Sequence, residues 1–267
     1  MNKFYFPINF YFWLSICYVV LIILTYFCKQ NWHRIMKGLF FNFLIIVFLI
    51  FGTNLFSQDN DAPYFIYKKG AKIKIGHFNK RQIPQGYTVY TVTDVNETDS
   101  VNYITIKAET FDPYEKPLNF TEIEAVYKDG EISLDMLYLI PVDSLAAISL
   151  EDWNLQGRDF IMPAFLGNGI SLKAAYVELE TDDNRYIKVS EFSRIVDKFE
   201  KLKTNIGEFE TCVISSKLEM QFAENELFTI YTWYSKGIGP LKTNYYNNKR
   251  KLVKYSEVVE IVMPEKS

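Results

Sequence analysis

The first 57 residues contain no aspartate or glutamate and only four basic side chains, Lys3, Lys29, Arg34 and Lys37, against 17 aromatics. That excludes an ordinary solvated globular surface for this stretch. The 210 residues that follow are scarce in other things, with one cysteine, Cys212, and one histidine, His77. A single cysteine excludes a disulfide framework there, and one cysteine with one histidine excludes a zinc site built on several such ligands. A Ser-His-Asp or Cys-His nucleophile would have to use His77, which reads as an edge or surface histidine, and no Gly-x-Ser-x-Gly elbow presents a serine. Gly167-Asn168-Gly169 lacks the third glycine and the βαβ setting of a dinucleotide fingerprint, and no P-loop is present. No cofactor, no metal and no catalytic residue is expected. Residues 58–267 hold 25 basic and 32 acidic side chains. This acidic balance argues against nucleic acid, which requires a basic face.

What is present divides the chain in two. Two apolar runs, Phe10 to Cys28 and Gly38 to Phe56, flank the basic stretch Lys29 to Lys37, and each is close to the roughly 20 residues that cross a bilayer. One reading is a helical hairpin with its basic loop on the cytoplasmic side. The other starts at Met36, where Met36-Lys37, an apolar run and the small Ser57 have the layout of a secretory signal. Residues 1–35 are then a dispensable extension or an over-called start, and 36–57 the signal. Both readings export residues 58–267 to the periplasm or cell envelope, tethered to the membrane if residues 1–57 are retained. No lipid anchor is expected, because the bulky Phe27 precedes Cys28 and Cys17 lies within an apolar run.

The exported part is patterned as strands. Alternation of period two recurs from 64 to 262 with turn residues between the runs. Tyr87, Val89, Thr91, Thr93 and Val95 share a face. So do Cys212, Ile214, Ser216, Leu218, Met220 and Phe222, which buries Cys212, and Asp129-Gly130 marks a hairpin. Only Pro141 to Asn154 has a helical pattern, and Leu155 to Leu172, with three glycines and Pro163, reads as a long loop near one barrel mouth. The count is nine to eleven strands in one all-β domain, an antiparallel meander forming a barrel or curved half-barrel. One or two apolar N-terminal helices precede it.

Clustered oxygens at Glu178, Glu180, Asp182, Asp183 and Asn184 suggest calcium, but their alternation with Val177 and Leu179 fits the solvent face of a strand and its turn. Aromatics crowd the C-terminal hairpins. Tyr231, Trp233, Tyr245 and Tyr255 either line a ligand cavity or fill a core.

Three stretches carry a resemblance: Arg194-Ile195-Val196 through Glu200, Lys203-Thr204-Asn205-Ile206-Gly207-Glu208-Phe209-Glu210-Thr211-Cys212-Val213-Ile214-Ser215, and Thr232-Trp233-Tyr234-Ser235-Lys236-Gly237-Ile238-Gly239-Pro240-Leu241-Lys242. Together with Pro63 to Gly70 they resemble the TapB-like family of exported, mostly uncharacterised proteins, itself related to a broader group of periplasmic β-proteins defined as a domain of unknown function. The run Asp197 to Lys201 and Pro240 depart from that family's pattern. The resemblance implies an antiparallel barrel or curved half-barrel without established catalytic residues, and its motif residues Arg194, Gly207, Phe209, Cys212, Trp233, Gly237 and Gly239 read as architectural. Gly207, Gly237 and Gly239 belong at turns, Phe209 and Trp233 inside, and Arg194 beside a carboxylate.

The expected function is that of a non-enzymatic envelope protein binding a lipid or other amphiphile, or an envelope protein partner, with membrane contact only through residues 1–57. The alternative is a carboxylate-dependent hydrolase of envelope glycans. A pair of inward acids would support it, and an all-apolar lumen would count against it.

Overall fold

In the computed structural model the chain divides into two units, Met1–Ser57 and Gln58–Ser267. Residues 62–141, 153–181, 186–222 and 225–264 are described, all in the second unit. The apolar runs of residues 1–57, most of the helix expected over 141–154, and Asp182 to Asn184 of the acidic turn lie outside them. Among the described residues no helix is long and apolar enough to cross a membrane.

The period-two pattern folds as strands, interrupted by one 3-10 turn at Met136–Leu139. The strands are β1 (Lys72–Asn79), β2 (Pro84–Glu97), β3 (Asn102–Phe111), β4 (Pro117–Lys128), β5 (Glu131–Leu134), β6 (Asn154–Arg158), β7 (Phe160–Met162), β8 (Ser171–Leu172), β9 (Ala175–Glu180), β10 (Tyr186–Thr204), β11 (Gly207–Gln221), β12 (Asn225–Ser235), β13 (Gly239–Tyr246) and β14 (Leu252–Val262). Among the described residues there are fourteen, where nine to eleven were expected. The excess lies mostly in the stretch expected to be a loop, which supplies β6, β7 and β8. Strands of two to five residues are too short for alternation to register, and β6 is exposed at all of its positions.

All pairings are antiparallel, and they follow the order β6-β9-β10-β11-β12-β13-β14-β1-β2-β3-β4-β5-β7, with β8 paired to β10 off this path. The two edge strands, β6 and β7, are separated in sequence only by Asp159. The sheet therefore curls until its edges meet, a nearly closed barrel, which removes the long unpaired edges that an open sheet would leave.

Inside, the larger apolar cluster joins Ile73, Ile104, Ile106, Ile123, Ile132 and Leu134 with residues of the C-terminal strands, and a second gathers Val177, Leu179, Val189, Met220, Phe228 and Ile230. The two barrel ends differ. At one, the segment before β1 crosses the mouth. Pro63 accepts a hydrogen bond from the Gly237 N–H at 2.6 Å, and Phe65, 1% exposed, meets Tyr90 and Tyr138 edge-on at 6.0 and 5.5 Å between ring centroids. At the other end lie the β1–β2, β3–β4 and β13–β14 turns.

Candidate functional site

The interior contains one buried carboxylate among the described residues, Glu191, and it is matched by the fully buried Arg194. Residues three apart in a regular strand face opposite ways. Here a register shift between Phe192 and Ile195 in the β10–β11 pairing, with Ser193 at φ +51°, turns both side chains to the same side. A bulge of this kind re-aims a side chain. Arg194 Nη1 donates to the carbonyls of Ile161 at 3.1 Å and Lys173 at 2.9 Å, Nη2 approaches Met162 Sδ at 3.2 Å, and the guanidinium carbon stands 3.9 Å from the Phe160 ring centroid. Ile161 and Met162 belong to β7, so a β10 side chain holds the edge strand at the seam.

Arg194 Nε lies 3.5 Å from Glu191 Oε1 and has no hydrogen-bond partner. Glu191 Oε1 also accepts from Ser216 Oγ at 2.8 Å. Burial raises the Glu191 carboxyl above its usual range, and Arg194 and Ser216 pull against that rise. Three buried phenols lie within reach of this charge. Burial drives Tyr138 and Tyr234 well above the ordinary tyrosine value and Tyr245 to about 12, the negative charge of Glu191 adding to all three. These groups have the chemistry of a buried polar cluster.

The four aromatics read as lining a ligand cavity or filling a core are not brought together. Tyr245 is in the interior, edge-on to Phe228 at 6.0 Å. Trp233 alternates with the buried Thr232 and Tyr234 and so lies on the outer face, as does Tyr231, 36% exposed and edge-on to Tyr246. Tyr255 alternates with the buried Ser256 and stacks on Phe78 at 5.0 Å. The expectation that Trp233 packs inside is thus corrected. Alternation separates two faces without saying which is inward. An indole can cover apolar surface and still satisfy its N–H from outside. Trp233 is paired in register with the buried Val213, and its Nε1 donates to Glu200 Oε1 at 2.7 Å. Lys198 and that indole N–H hold the Glu200 carboxylate below its usual range.

The remaining motif residues are structural. Phe209, 7% exposed, and Cys212, 1% exposed, belong to the larger cluster, and burial pushes the Cys212 thiol up to about 12. Gly207 opens β11 after the β10–β11 turn, and Gly237 lies in the β12–β13 turn. Gly239 has φ +106°, and a Cβ there would meet the Phe65 ring at 3.0 Å. Only glycine meets both demands comfortably. His77, expected at an edge or on the surface, is half-buried on a central strand, with Nε2 2.8 Å from Thr88 Oγ1. Glu178 is engaged by Lys188 at 2.8 Å and by Gln156, and among the described residues no cluster of His, Cys, Asp or Glu could hold a metal ion.

Three turns at the barrel end opposite Phe65, β1–β2, β3–β4 and β13–β14, share one construction, a three-residue loop closed by an Asx side chain. Asn79 Oδ1 accepts from the N–H groups of Arg81 and Ile83 at 2.9 and 3.1 Å, Asp112 Oδ1 from Tyr114 and Lys116 at 2.8 and 2.9 Å, and Asn247 Oδ1 from Lys249 and Lys251 at 3.0 and 3.1 Å. In each the fourth residue, Gln82, Glu115 or Arg250, is left-handed, with φ between 57° and 67°. The β1–β2 and β13–β14 turns are neighbours because β1 pairs with β14. A cleft of about 430 Å³ lies between them, with Lys80, Arg81 and Lys251 beside Ile83, Leu252 and Val253. The sequence signal was there, an Asx followed four residues later by the strand's return, but hydrogen-bonded turns do not announce which others they adjoin.

Similar architectures exist among solved structures. A protein classed as exported and of YmcC-like fold, from Bacteroides fragilis, aligns at 21% identity over 76% of this chain and 100% of its own, with a TM-score of 0.63. A protein classed as a lipoprotein, from Parabacteroides distasonis, aligns at 17% identity over 75% and 99%, again with a TM-score of 0.63. At such identities the likeness is one of fold. No curated protein matches the chain. A family model does, over residues 68–258, from just before β1 to within β14, and the chain belongs to the DUF3108-like family.

Proposed function

We propose that the protein is an exported, non-enzymatic component of the cell envelope that binds an amphipathic ligand or an envelope partner. The observation that carries this reading is the state of Glu191. The one buried carboxylate among the described residues is hydrogen-bonded to Ser216 and lies 3.5 Å from Arg194. Glycoside hydrolysis needs two carboxyl groups about 5 to 10 Å apart across a bond that substrate can reach. Among the described residues the interior offers a single acid, engaged with the Arg194 that holds the seam, and this favours binding over hydrolysis. Export is supported by the apolar N-terminal segment and by the way the two structural neighbours are classed. The motif stretches from Arg194 to Lys242 favour, within the wider family, the TapB-like group.

Native mass spectrometry of the protein from the exported fraction, followed by solvent extraction, tests the reading. A co-purifying amphiphile or a stable protein partner is the expected result. Release of reducing ends from purified envelope glycan, lost in Glu191→Gln, would overturn it in favour of the hydrolase.

A further inference from the structure

The cleft between the β1–β2 and β13–β14 turns combines two properties that few surface grooves share. Its rim is cationic, with Lys80 and Arg81 from one turn and Lys251 from the other, and its floor is apolar, with Leu252, Val253 and the half-exposed Ile83. The charge is not incidental to the turns' construction. The β1–β2, β3–β4 and β13–β14 turns each need an Asx oxygen to accept two backbone N–H groups. The β3–β4 turn uses the carboxylate of Asp112, with Glu115 beside it, whereas the two turns flanking the cleft use the neutral amides of Asn79 and Asn247. From Asn79 to Ile83 and from Asn247 to Lys251 there are five basic side chains and no acidic one, in a part of the chain where acids outnumber bases. Among the described residues, none of Lys80, Arg81, Lys249, Arg250 and Lys251 forms an ion pair. Unpaired cations held close together by rigid turns keep a local positive potential that attracts anions. Arginine and lysine together suit a phosphate group, the fork giving direction and the ammonium giving charge.

We propose that this cleft is a binding site for an anionic amphiphile, its phosphate group held by Lys80, Arg81 and Lys251 and the first carbons of its chain laid against Ile83, Leu252 and Val253. The proposal rests on the amphiphile reading above and adds to it a location and a ligand charge. A volume of about 430 Å³ lies within the roughly 300 to 1,000 Å³ of small-molecule sites. That is enough for a headgroup and a short length of chain, so the rest of the chain stays outside the protein. Free phosphate would leave the apolar floor bare, and a zwitterionic lipid would bring a second cation against the basic rim.

The test is competition by native mass spectrometry. The full-length protein is released from neutral detergent micelles in the presence of equimolar dihexanoyl phosphatidylglycerol, dihexanoyl phosphatidylcholine and inorganic phosphate. The phosphatidylglycerol adduct should exceed the phosphatidylcholine adduct by about tenfold, and the Lys80→Glu/Arg81→Glu variant should lose that preference while melting at the wild-type temperature. Lys251→Glu, on the other turn, should lose it too. Ile83→Ser should weaken the lipid adduct and leave any phosphate adduct unchanged. A preference that survives both charge reversals overturns the proposal, as does phosphate that displaces the lipid at equal concentration, which would mark a site for a free inorganic anion. If an amphiphile co-purifies from the exported fraction and is retained by Lys80→Glu/Arg81→Glu, this site fails while the binding reading stands. If nothing co-purifies and no lipid adduct forms, both fail.

Discussion

The two ends of the barrel are built differently. One is sealed by the chain itself: residues 62–67 cross the mouth, Phe65 fills the space beneath Gly239, and Tyr64 and Ile66 are buried beside it. The other carries three similar turns whose backbone is held by Asx side chains, with Lys80, Arg81, Ile83 and Lys251 exposed to solvent beside further turns at the same end. At the sealed end side chains contribute stability. At the tip end the turn residues Asn79 and Asn247 secure the shape, so the residues between them can vary in charge at little cost to folding. A surface whose composition is not dictated by packing is where binding is found most readily.

This contrast can be broken by substitution. Phe65→Ala, at the sealed end, should lower unfolding stability by about 3–5 kcal/mol, measured by denaturant titration. A loss below about 1 kcal/mol would mean that the mouth is not packed as described. Arg194→Ala should cost about the same, 3–5 kcal/mol, because it strands Glu191 and frees the carbonyls of Ile161 and Lys173; hydrogen exchange should then quicken first in β7, and uniform quickening would contradict the seam role. The folded-state pKa of Glu191 lies above its unfolded value. The stability linked to its protonation is therefore fully present below the unfolded value of about 4.3 and is lost as pH rises through the raised folded value. Glu191→Gln should flatten that part of the stability profile, and an unchanged profile would place the titration elsewhere. At the tip end, Asn247→Ala should cost only about 1 kcal/mol for two exposed turn bonds.

Much of this fold was legible in the sequence. Alternation from 212 to 222 and hairpin signals such as Asp129-Gly130 announced an antiparallel all-β domain, because a period of two is a property of the backbone itself. The closing strands were hidden for the converse reason. Phe160–Met162 and Ser171–Leu172 are too short to show a period, and they are strands because β5 and β10 pair with them. The Glu191–Arg194 pair was also out of reach, since a spacing of three in a strand predicts opposite faces and only the bulge at Ser193 brings them together. Trp233 illustrates a third limit, where the pattern gave two faces and amphipathic indole chemistry decided between them. The cleft needed the register of β1 on β14, which sets side by side two turns that are 168 positions apart.

The central claim is that ligand binding belongs to the cleft at the tip end and not to the barrel interior. The most direct test is anomalous diffraction from crystals of the protein soaked with a short-chain phosphatidylglycerol brominated near its headgroup. The account predicts bromine density in the cleft beside Lys80, Arg81 and Lys251. Bromine density inside the barrel, among Tyr138, Tyr234 and Tyr245, would contradict it.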